Sequence, residues 1–358
     1  MKTCEALGKP GTAVELVVPR RLNPIKDDPF AFYGVAKNFK ITRLWCLDLI
    51  SLNIFGPLGF WIESWMFYRA VKKYLKQMPA DIYYTRDLPI AYWFSRHIRP
   101  LFYEIHTLPD TISKKYRAAW QRCQGLIVIS NGLKEELVRC GVAVSKILVA
   151  HDAVDVAKFQ ISATRQECRE QLSLPRDQKM VVYTGHLYEW KGAGTLAEAA
   201  KLLPADVHVY LVGGTAEDMK RFKSLHQSSN LHIVEWQKHE MIPFWLRAAD
   251  ILVLPNSAKS SIGAKYTSPL KAFEYIAAGR PIVASRLPAL YEALEGVGMA
   301  LFVDPDDANK LANGIQDLLT NEQAILETRN HSQRETELRD YSWENRARNI
   351  IEFLRARI

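Results

Sequence analysis

The segment from Ser268 to Ser285, which reads SPLKAFEYIAAGRPIVAS, has the residue pattern best suited to holding an anionic ligand. Ser268 is a favourable N-cap, Pro269 suits the first helical position, and Gly279 predicts the end of the helix. The N–H groups and positive dipole end of such a helix suit a diphosphate. Glu274 lies about 9 Å further along the helix axis, where its carboxylate can accept both hydroxyls of a ribose. On spacing alone, a capped helix with a surface glutamate explains the pattern equally well.

A second candidate is the loop from Gly185 to Gly192, which reads GHLYEWKG and separates a predicted strand from a predicted helix. Gly185 allows a sharp turn at the carboxyl end of the strand, where ligands bind in open α/β sheets. Lys191 can neutralise the charge of a leaving diphosphate. The glycine and lysine order of a P-loop is absent. A lone loop lysine is usually only solvated, but the strand-loop-helix context favours a ligand site.

Two more candidates follow strands of the first half. His106, in the sequence YEIHT, comes at a strand end and can donate a hydrogen bond to a sugar hydroxyl or a leaving group. Arg86 follows another strand and can contact an anionic acceptor. A structural histidine and a surface ion pair are the competing interpretations.

These candidates depend on an alternation of strand and helix patterns along the whole chain, which predicts parallel sheets covered on both faces. Strands are predicted in the first half at Val14–Pro19, Asp81–Thr85, Leu101–His106, Leu126–Ser130 and Ile147–His151. Those of the second half are Met180–Gly185, Val207–Gly213, Leu231–Trp236, Ile251–Pro255, Pro281–Ser285 and Leu301–Asp304. The predicted fold class is therefore α/β, with two doubly wound Rossmann-type domains facing a cleft.

A chain of 358 residues exceeds what one hydrophobic core usually supports, so two domains are expected. We place the first domain at 1–158, a polar linker at 159–178 and the second domain at 179–338. A terminal helix over 339–358, opening near the N-cap Ser342, is expected to cross back to the first domain.

The bulk composition indicates the cellular location and the kinds of binding partner to expect. The formal charge of +8 is dispersed along the chain, which suits an anionic small ligand but predicts no nucleic-acid partner. Five cysteines without C-x-x-C spacing and no visible secretory signal predict a reduced, cytoplasmic protein without a zinc site. The apolar stretch 44–62, followed by Trp65–Arg69 and Lys72, permits a peripheral contact with the membrane surface. A core helix with a loop is the competing interpretation of that stretch.

Together these residues resemble the retaining glycosyltransferases of family 4, which have the two-domain GT-B fold. The resemblance covers nearly the whole chain, and its most specific part is the block from Ser268 to Ser285. It implies transfer of a hexose-type sugar from a UDP- or GDP-sugar to a glycan, a sugar or a lipid-linked acceptor, as in polysaccharide biosynthesis. It also implies that no metal or other cofactor is needed, because basic residues and the helix dipole stabilise the leaving group.

The resemblance also implies roles for individual residues. Lys191 and His106 are the expected catalytic residues, and Arg86, His106 and Ser130 are the candidates on the acceptor side. The expected donor-binding residues are Gly185, His186, Lys191, Gly213, Glu235, Trp236, Gln237, Ser268, Pro269, Leu270, Lys271 and Glu274. Among these, Glu274 is expected to hold the ribose, and the residues from Glu235 to Gln237 to lie by the base.

Three departures from the family pattern matter. His186 stands where an arginine is common, and Tyr266 stands where the first glutamate of an E-x7-E pattern is usual. The family's first strand and its glycine-bearing loop would precede Met1, so this opening is expected to be missing. We predict that the chain as written is less stable and less active than a version extended upstream by one strand and loop. Thermal unfolding and donor turnover of both versions test this, and equal values would refute it.

Two other functions fit the same fold. A sugar-nucleotide epimerase would need additional carboxylates for proton abstraction, and the sequence offers no convincing set. A catalytically impaired protein that only binds nucleotide-sugars is favoured by the missing opening and by Tyr266. Product analysis with a nucleotide-sugar alone separates the epimerase from the transferase.

Overall fold

The computed structural model describes residues 1–358 apart from 10, 24, 53–55, 110, 260–268 and 329–340, and leaves out the side chains of 322–328. The described residues group into two compact units. The first unit comprises Met1–Ile129, Leu133–His151 and Trp343–Ile358, and the second comprises Ser130–Gly132 and Asp152–Ser342.

The helices and strands of the first unit alternate along the chain. Its strands are β1 (Glu15–Pro19), β2 (Lys40–Leu44), β3 (Tyr83–Thr85), β4 (Leu101–Ile105), β5 (Gly125–Val128) and β6 (Ile147–Val149). Its helices are α1 (Lys2–Gly8), α2 (Pro29–Tyr33), α3 (Gly56–Gln77), α4 (Leu88–Phe94), α5 (Lys114–Arg122), α6 (Asn131–Arg139) and, at the end of the chain, α15 (Trp343–Arg355). Among the strands of the first unit, only β2 was not predicted from the sequence.

The strands of the first unit form two separate parallel sheets. Strands β1 and β2 pair with each other, and the other four pair in the order β3–β4–β5–β6. A cavity of about 590 Å³ is lined by both β1 and β3 and by Met1 and Cys4 at the start of α1. Among the described residues, neither β1 nor β3 has a further strand on its other side, so both are edge strands.

Helix α15 is part of the first unit because its apolar face covers the four-stranded sheet. Ile350, Phe353 and Leu354 are buried in one cluster with Phe102 of β4 and Ile127 of β5. The ring of Phe353 meets that of Phe102 edge-on, with 6.2 Å between centroids. Helix α15 is thereby packed on the four-stranded sheet of the first unit.

The second unit is built on one six-stranded parallel sheet with the order β12–β11–β10–β7–β8–β9. The strands are β7 (Lys179–Thr184), β8 (Val207–Val212), β9 (Leu231–Val234), β10 (Ile251–Leu254), β11 (Ile282–Ser285) and β12 (Ala300–Val303). The helices are α7 (Val156–Phe159), α8 (Arg165–Gln171), α9 (Ala193–Ala200), α10 (Ala216–Leu225), α11 (Ile242–Ala248), α12 (Leu270–Ala278), α13 (Pro288–Leu294) and α14 (Ala308–Thr328). Apolar clusters cover both faces of this sheet, which explains its nearly continuous hydrophobic strands.

The segment 159–178 is not the irregular linker that the sequence predicted. It contains α8, whose capping box joins Thr164 and Glu167. Cys168 of this helix is fully buried, and Arg169 donates a hydrogen bond of 2.8 Å to Asp250. The polar composition that suggested a linker instead serves a cap and a buried ion pair, so the segment belongs to the second unit.

Candidate functional site

The loops that follow β7, β8 and β10 come together at the carboxyl edge of the second sheet. Gly213 has a φ of +126°, and a Cβ placed there would lie 2.5 Å from the carbonyl oxygen of Gly185. Gly192 has a φ of +73°, and its Cβ would lie 1.8 Å from the carbonyl oxygen of Pro255. Both positions therefore require glycine, and these contacts hold the three loops against one another.

The loop from Gly185 to Gly192 is fixed by its own contacts. The hydroxyl of Tyr183 donates to the His186 carbonyl at 2.7 Å, and the His186 ring stacks on Tyr188 with 4.9 Å between centroids. The Ser257 N–H donates to the Trp190 carbonyl at 3.0 Å. Because side chains and backbone both tie the loop to the sheet, it presents Lys191 from a defined position.

Lys191 lies in a group of charged side chains. Its Nζ is 4.4 Å from the centroid of the Trp190 ring. Burial lowers the pKa of Lys191 from its ordinary value, the charge of Lys271 lowers it further, and Glu274 acts in the opposite direction. Two ammonium groups and one carboxylate therefore interact here, which leaves a net positive charge that suits an anion.

Helix α12 carries Lys271 and Glu274, and it starts one residue later than predicted. Pro269 occupies the cap position with a ψ of 78°, which is not helical, and Leu270 is the first helical residue. The carbonyl of Pro269 accepts from the Ala272 N–H at 2.7 Å, so the first turn is tight. The predicted N-cap, Ser268, lies outside the described residues, as does Tyr266. The N–H groups of Leu270 and Lys271 have no carbonyl partner within the helix, as at any helix start.

The side chain of Glu274 is held within the same group. Its exposed fraction is 12%, and Oε2 accepts a hydrogen bond of 2.8 Å from Nζ of Lys271, one turn earlier. The next residue, Tyr275, is fully buried, and its hydroxyl accepts from the Thr184 N–H at 2.9 Å. This bond fixes α12 against the end of β7, so the Lys191 loop and the start of α12 share one edge of the sheet.

The three residues expected near the base follow β9, the edge strand on the β8 side of the sheet. Trp236 is 66% exposed, and Glu235 is also exposed. The Gln237 side-chain amide donates to the Glu235 carbonyl at 3.2 Å, closing the loop on itself. Their part in base binding stays a prediction.

In the first unit, His106 contacts a carboxylate that the sequence reasoning passed over. Glu104 of β4 is fully buried, and its Oε1 lies 2.6 Å from Nε2 of His106. The same oxygen accepts from Arg86 at 2.8 Å and from Arg346 of α15 at 2.7 Å. The Tyr84 hydroxyl donates to the other oxygen, Oε2. Glu104 thus connects four side chains from separate parts of the first unit.

The charge state of Glu104 follows from these contacts. Burial by itself raises the pKa of Glu104, but the hydrogen bond with His106 and the charges of Arg346 and Arg86 outweigh it. The pKa is held well below its usual range, so this carboxylate is ionised at neutral pH. Arg86 is half-exposed and also donates to Thr3 at 3.0 Å, while Ser130, beyond β5, is buried. The acceptor roles of Arg86 and Ser130 stay predictions.

Comparison with known proteins bears on both units. The sequence model described as Glycosyltransferase Family 4 matches residues 1–158, and the one described as Glycosyl transferases group 1 matches residues 178–321. The chain belongs to glycosyltransferase family 4. A D-inositol 3-phosphate glycosyltransferase of Corynebacterium urealyticum is 26% identical over 59% of this family 4 chain. The aligned region is 51% of that relative, so the chain spans about half its length.

Solved structures share the fold of this family 4 chain. Sucrose-phosphate synthase from Thermosynechococcus elongatus matches with a TM-score of 0.75 at 22% identity, over 99% of this chain and 91% of that one. Anabaena HepE in complex with UDP matches with a TM-score of 0.73 at 16% identity, over 96% of this chain and 100% of that one. The predicted fold class, GT-B with two Rossmann-type α/β domains, is confirmed.

Proposed function

We propose that this chain transfers a hexose-type sugar from a UDP- or GDP-sugar to a glycan, a sugar or a lipid-linked acceptor. The observation that carries the proposal is the charge group at the start of α12, where Lys191 and Lys271 interact with Glu274. Membership of family 4 supports transferase chemistry. The match to HepE, whose structures were solved with UDP and with UDP-glucose, supports a nucleotide-sugar donor.

In this proposal the donor diphosphate binds at the start of α12. The N–H groups of Leu270 and Lys271 and the helix dipole face the phosphates, and Lys191 contributes a full positive charge. Glu274 exchanges its bond with Lys271 for the two ribose hydroxyls. Charge that develops on the leaving diphosphate is then stabilised by groups already in position, so the reaction needs no metal ion.

The proposed reaction retains the anomeric configuration. The acceptor hydroxyl attacks on the face from which the diphosphate leaves, and a phosphate oxygen of the donor takes its proton. His106 forms a hydrogen bond with the sugar, and Glu104 orients its ring. A lipid-linked acceptor would be reached through a peripheral contact with the membrane surface.

The direct test is release of nucleoside diphosphate from UDP- and GDP-sugars over a panel of acceptors, with and without EDTA. Acceptor-dependent release that EDTA leaves unchanged is the expected result. Product analysis without an acceptor identifies an epimerase instead. Binding without any turnover across the panel would contradict the proposed transferase.

Replacing Glu274 with alanine should weaken UDP binding by about 1.5–3 kcal/mol, because hydrogen bonds from the ribose to a charged group are lost. Calorimetry with UDP and with its 2′-deoxy analogue isolates this term. Wild type should prefer UDP, and the variant should bind both alike. Glu217→Ala, which removes an exposed carboxylate of α10, is the matched control. A variant that keeps the preference for UDP would rule out ribose binding by Glu274.

Affinity for UDP should fall at alkaline pH because of Lys191. Its pKa is lowered by burial and then by Lys271, so it loses its proton below the ordinary lysine value of about 10.4. The diphosphate prefers the ammonium form and raises this pKa, so affinity is full below the pKa of the free protein and declines above it. Lys191→Arg stays charged and should flatten the profile. Calorimetry above pH 7 measures both, and coincident profiles would contradict the assignment.

A further inference from the structure

Helix α3 of the first unit exposes one continuous stripe of side chains. Seven of its exposed residues recur at helical spacing, which places them on one side of the helix at 3.6 residues per turn. They are Leu58, Ile62, Trp65, Arg69, Lys72, Lys73 and Lys76, and we call them the α3 stripe. Gly59, Glu63, Ser64 and Val71 are buried on the other side. The stripe is therefore a free face of a helix whose opposite face packs into the unit.

The α3 stripe changes character along the helix. Its first part is apolar, with Leu58 62%, Ile62 37% and Trp65 47% exposed. Its second part carries four cationic side chains in succession. The guanidinium of Arg69 lies 5.1 Å from the centroid of the Trp65 ring, which joins the two parts. Large apolar side chains exposed beside a run of cations are unusual on a soluble surface.

Helix α3 itself offers no exposed acidic side chain to offset the cations of the α3 stripe. The one carboxylate within α3 is Glu63, whose side chain is 1% exposed. It accepts from Nε of Arg21 at 2.7 Å and from the N–H groups of Leu49 and Ile50 at 2.9 and 2.8 Å. Glu63 thus lies in the interior of the unit, and the α3 stripe contains only apolar and cationic side chains.

The segment that leads into α3 adds apolar surface. Trp45, Leu47 and Leu52, between β2 and α3, are 68%, 48% and 53% exposed. Among the described residues, no helix is both long and apolar enough to cross a bilayer. A helix with tryptophan and leucine beside lysine and arginine, too polar to span, has the composition of one that lies in a membrane interface.

We propose that the α3 stripe binds the surface of an anionic phospholipid bilayer. Leu58, Ile62 and Trp65 enter the region between headgroups and acyl chains, and the cations from Arg69 to Lys76 contact lipid phosphates. Charge complementarity selects anionic lipid over a second copy of this chain, since two α3 stripes would repel each other. The proposal rests on the proposed function in one point, the peripheral contact with a membrane. Vesicle binding is measured without any sugar transfer, so a failure to bind vesicles is distinguishable from a failure to transfer sugar.

Vesicle flotation tests the α3 stripe. Wild-type protein should float with vesicles of equal parts phosphatidylcholine and phosphatidylglycerol, and bind phosphatidylcholine alone at least about tenfold more weakly. Two variants separate the halves of the stripe: Leu58→Ser/Ile62→Ser/Trp65→Ser and Lys72→Gln/Lys73→Gln/Lys76→Gln. Each should lose at least about tenfold in affinity for the anionic vesicles. High salt should weaken vesicle binding by the wild type and by the serine variant, because both keep the cations of the stripe.

The matched control uses α10 of the second unit, where Leu225, Lys220 and Lys223 are also exposed. The variant Lys220→Gln/Lys223→Gln/Leu225→Ser should float like wild type. Thermal unfolding and UDP affinity like those of wild type establish that each stripe variant is folded. Wild-type protein that does not float with the anionic vesicles would overturn the proposal. Stripe variants that float as well as wild type would also overturn it. A wild-type dimer would also overturn it, if the Leu58→Ser/Ile62→Ser/Trp65→Ser variant were a monomer that still floated with the vesicles.

Discussion

Replacing Lys191 with alanine is expected to lower kcat/KM for sugar transfer by about two to three orders of magnitude. Lys191 is held by a fixed loop, is partly buried, and interacts with Lys271 and Glu274 near the start of α12. A positive charge in a partly dehydrated position stabilises a leaving diphosphate more than an exposed lysine does. The loss should therefore fall on kcat as well as on donor binding, because charge on the diphosphate grows in the transition state.

Steady-state kinetics with the best donor, together with calorimetry of UDP, measure this loss. Lys223→Ala removes an exposed lysine of α10 and is the control for net charge. Lys271→Ala should have the smaller effect, because Lys271 already shares its charge with Glu274. A Lys191→Ala enzyme whose kcat/KM lies within about threefold of wild type would exclude Lys191 from the donor site, because this loss is far smaller than the expected one.

Replacing Glu104 with leucine should destabilise the first unit by about 3–5 kcal/mol, because the buried ion pair between Glu104 and Arg346 is broken by removal of one partner. Urea unfolding, followed by a signal from the first unit, measures the change in the free energy of unfolding. The double variant Glu104→Leu/Arg346→Met should recover most of the loss, since the pair is then replaced by apolar side chains. A Glu104→Leu protein as stable as wild type would show that the cluster contributes little.

The pH dependence of this contribution has a definite sign. The pKa of Glu104 in the folded chain lies below its unfolded value, so its stabilisation is present above the unfolded pKa of about 4.3 and is lost as pH falls. Glu104→Gln keeps an acceptor for Nε2 of His106 but removes the charge. The kcat of this variant should fall while its UDP affinity holds, which distinguishes an effect of the Glu104 charge on His106 from a purely structural role.

The bounds of the strands in the six-stranded sheet of the second unit could be predicted from the sequence to within about two residues. They are buried on both faces, so their hydrophobic runs are nearly continuous. Strand β2 was missed because polar side chains lie on both of its faces and, among the described strands, it pairs with β1 alone. The run of Lys40, Ile41, Thr42 and Arg43 does not alternate strictly between polar and apolar residues, so the period-2 signal of a strand is weak.

The candidate site was predictable where a single segment carries it. The loop with Lys191 and the helix with Glu274 each have local signals of turn and helix start. The Glu104 cluster has none, because Arg346 lies more than two hundred residues away in the sequence. Likewise, the polar composition of 159–178 suggested a linker, whereas Arg169 in this segment forms an ion pair with Asp250. Long-range pairs of this kind leave no trace in periodicity, composition or spacing.

Amide hydrogen exchange with and without saturating UDP or GDP tests most directly whether a nucleoside diphosphate binds at the start of α12. Bound diphosphate should slow exchange at the N–H groups of Leu270 and Lys271 and in the loop from Gly185 to Gly192. Exchange in α10 should stay unchanged. Saturation that leaves the first turn of α12 exchanging at its free rate, with protection elsewhere, would contradict this account.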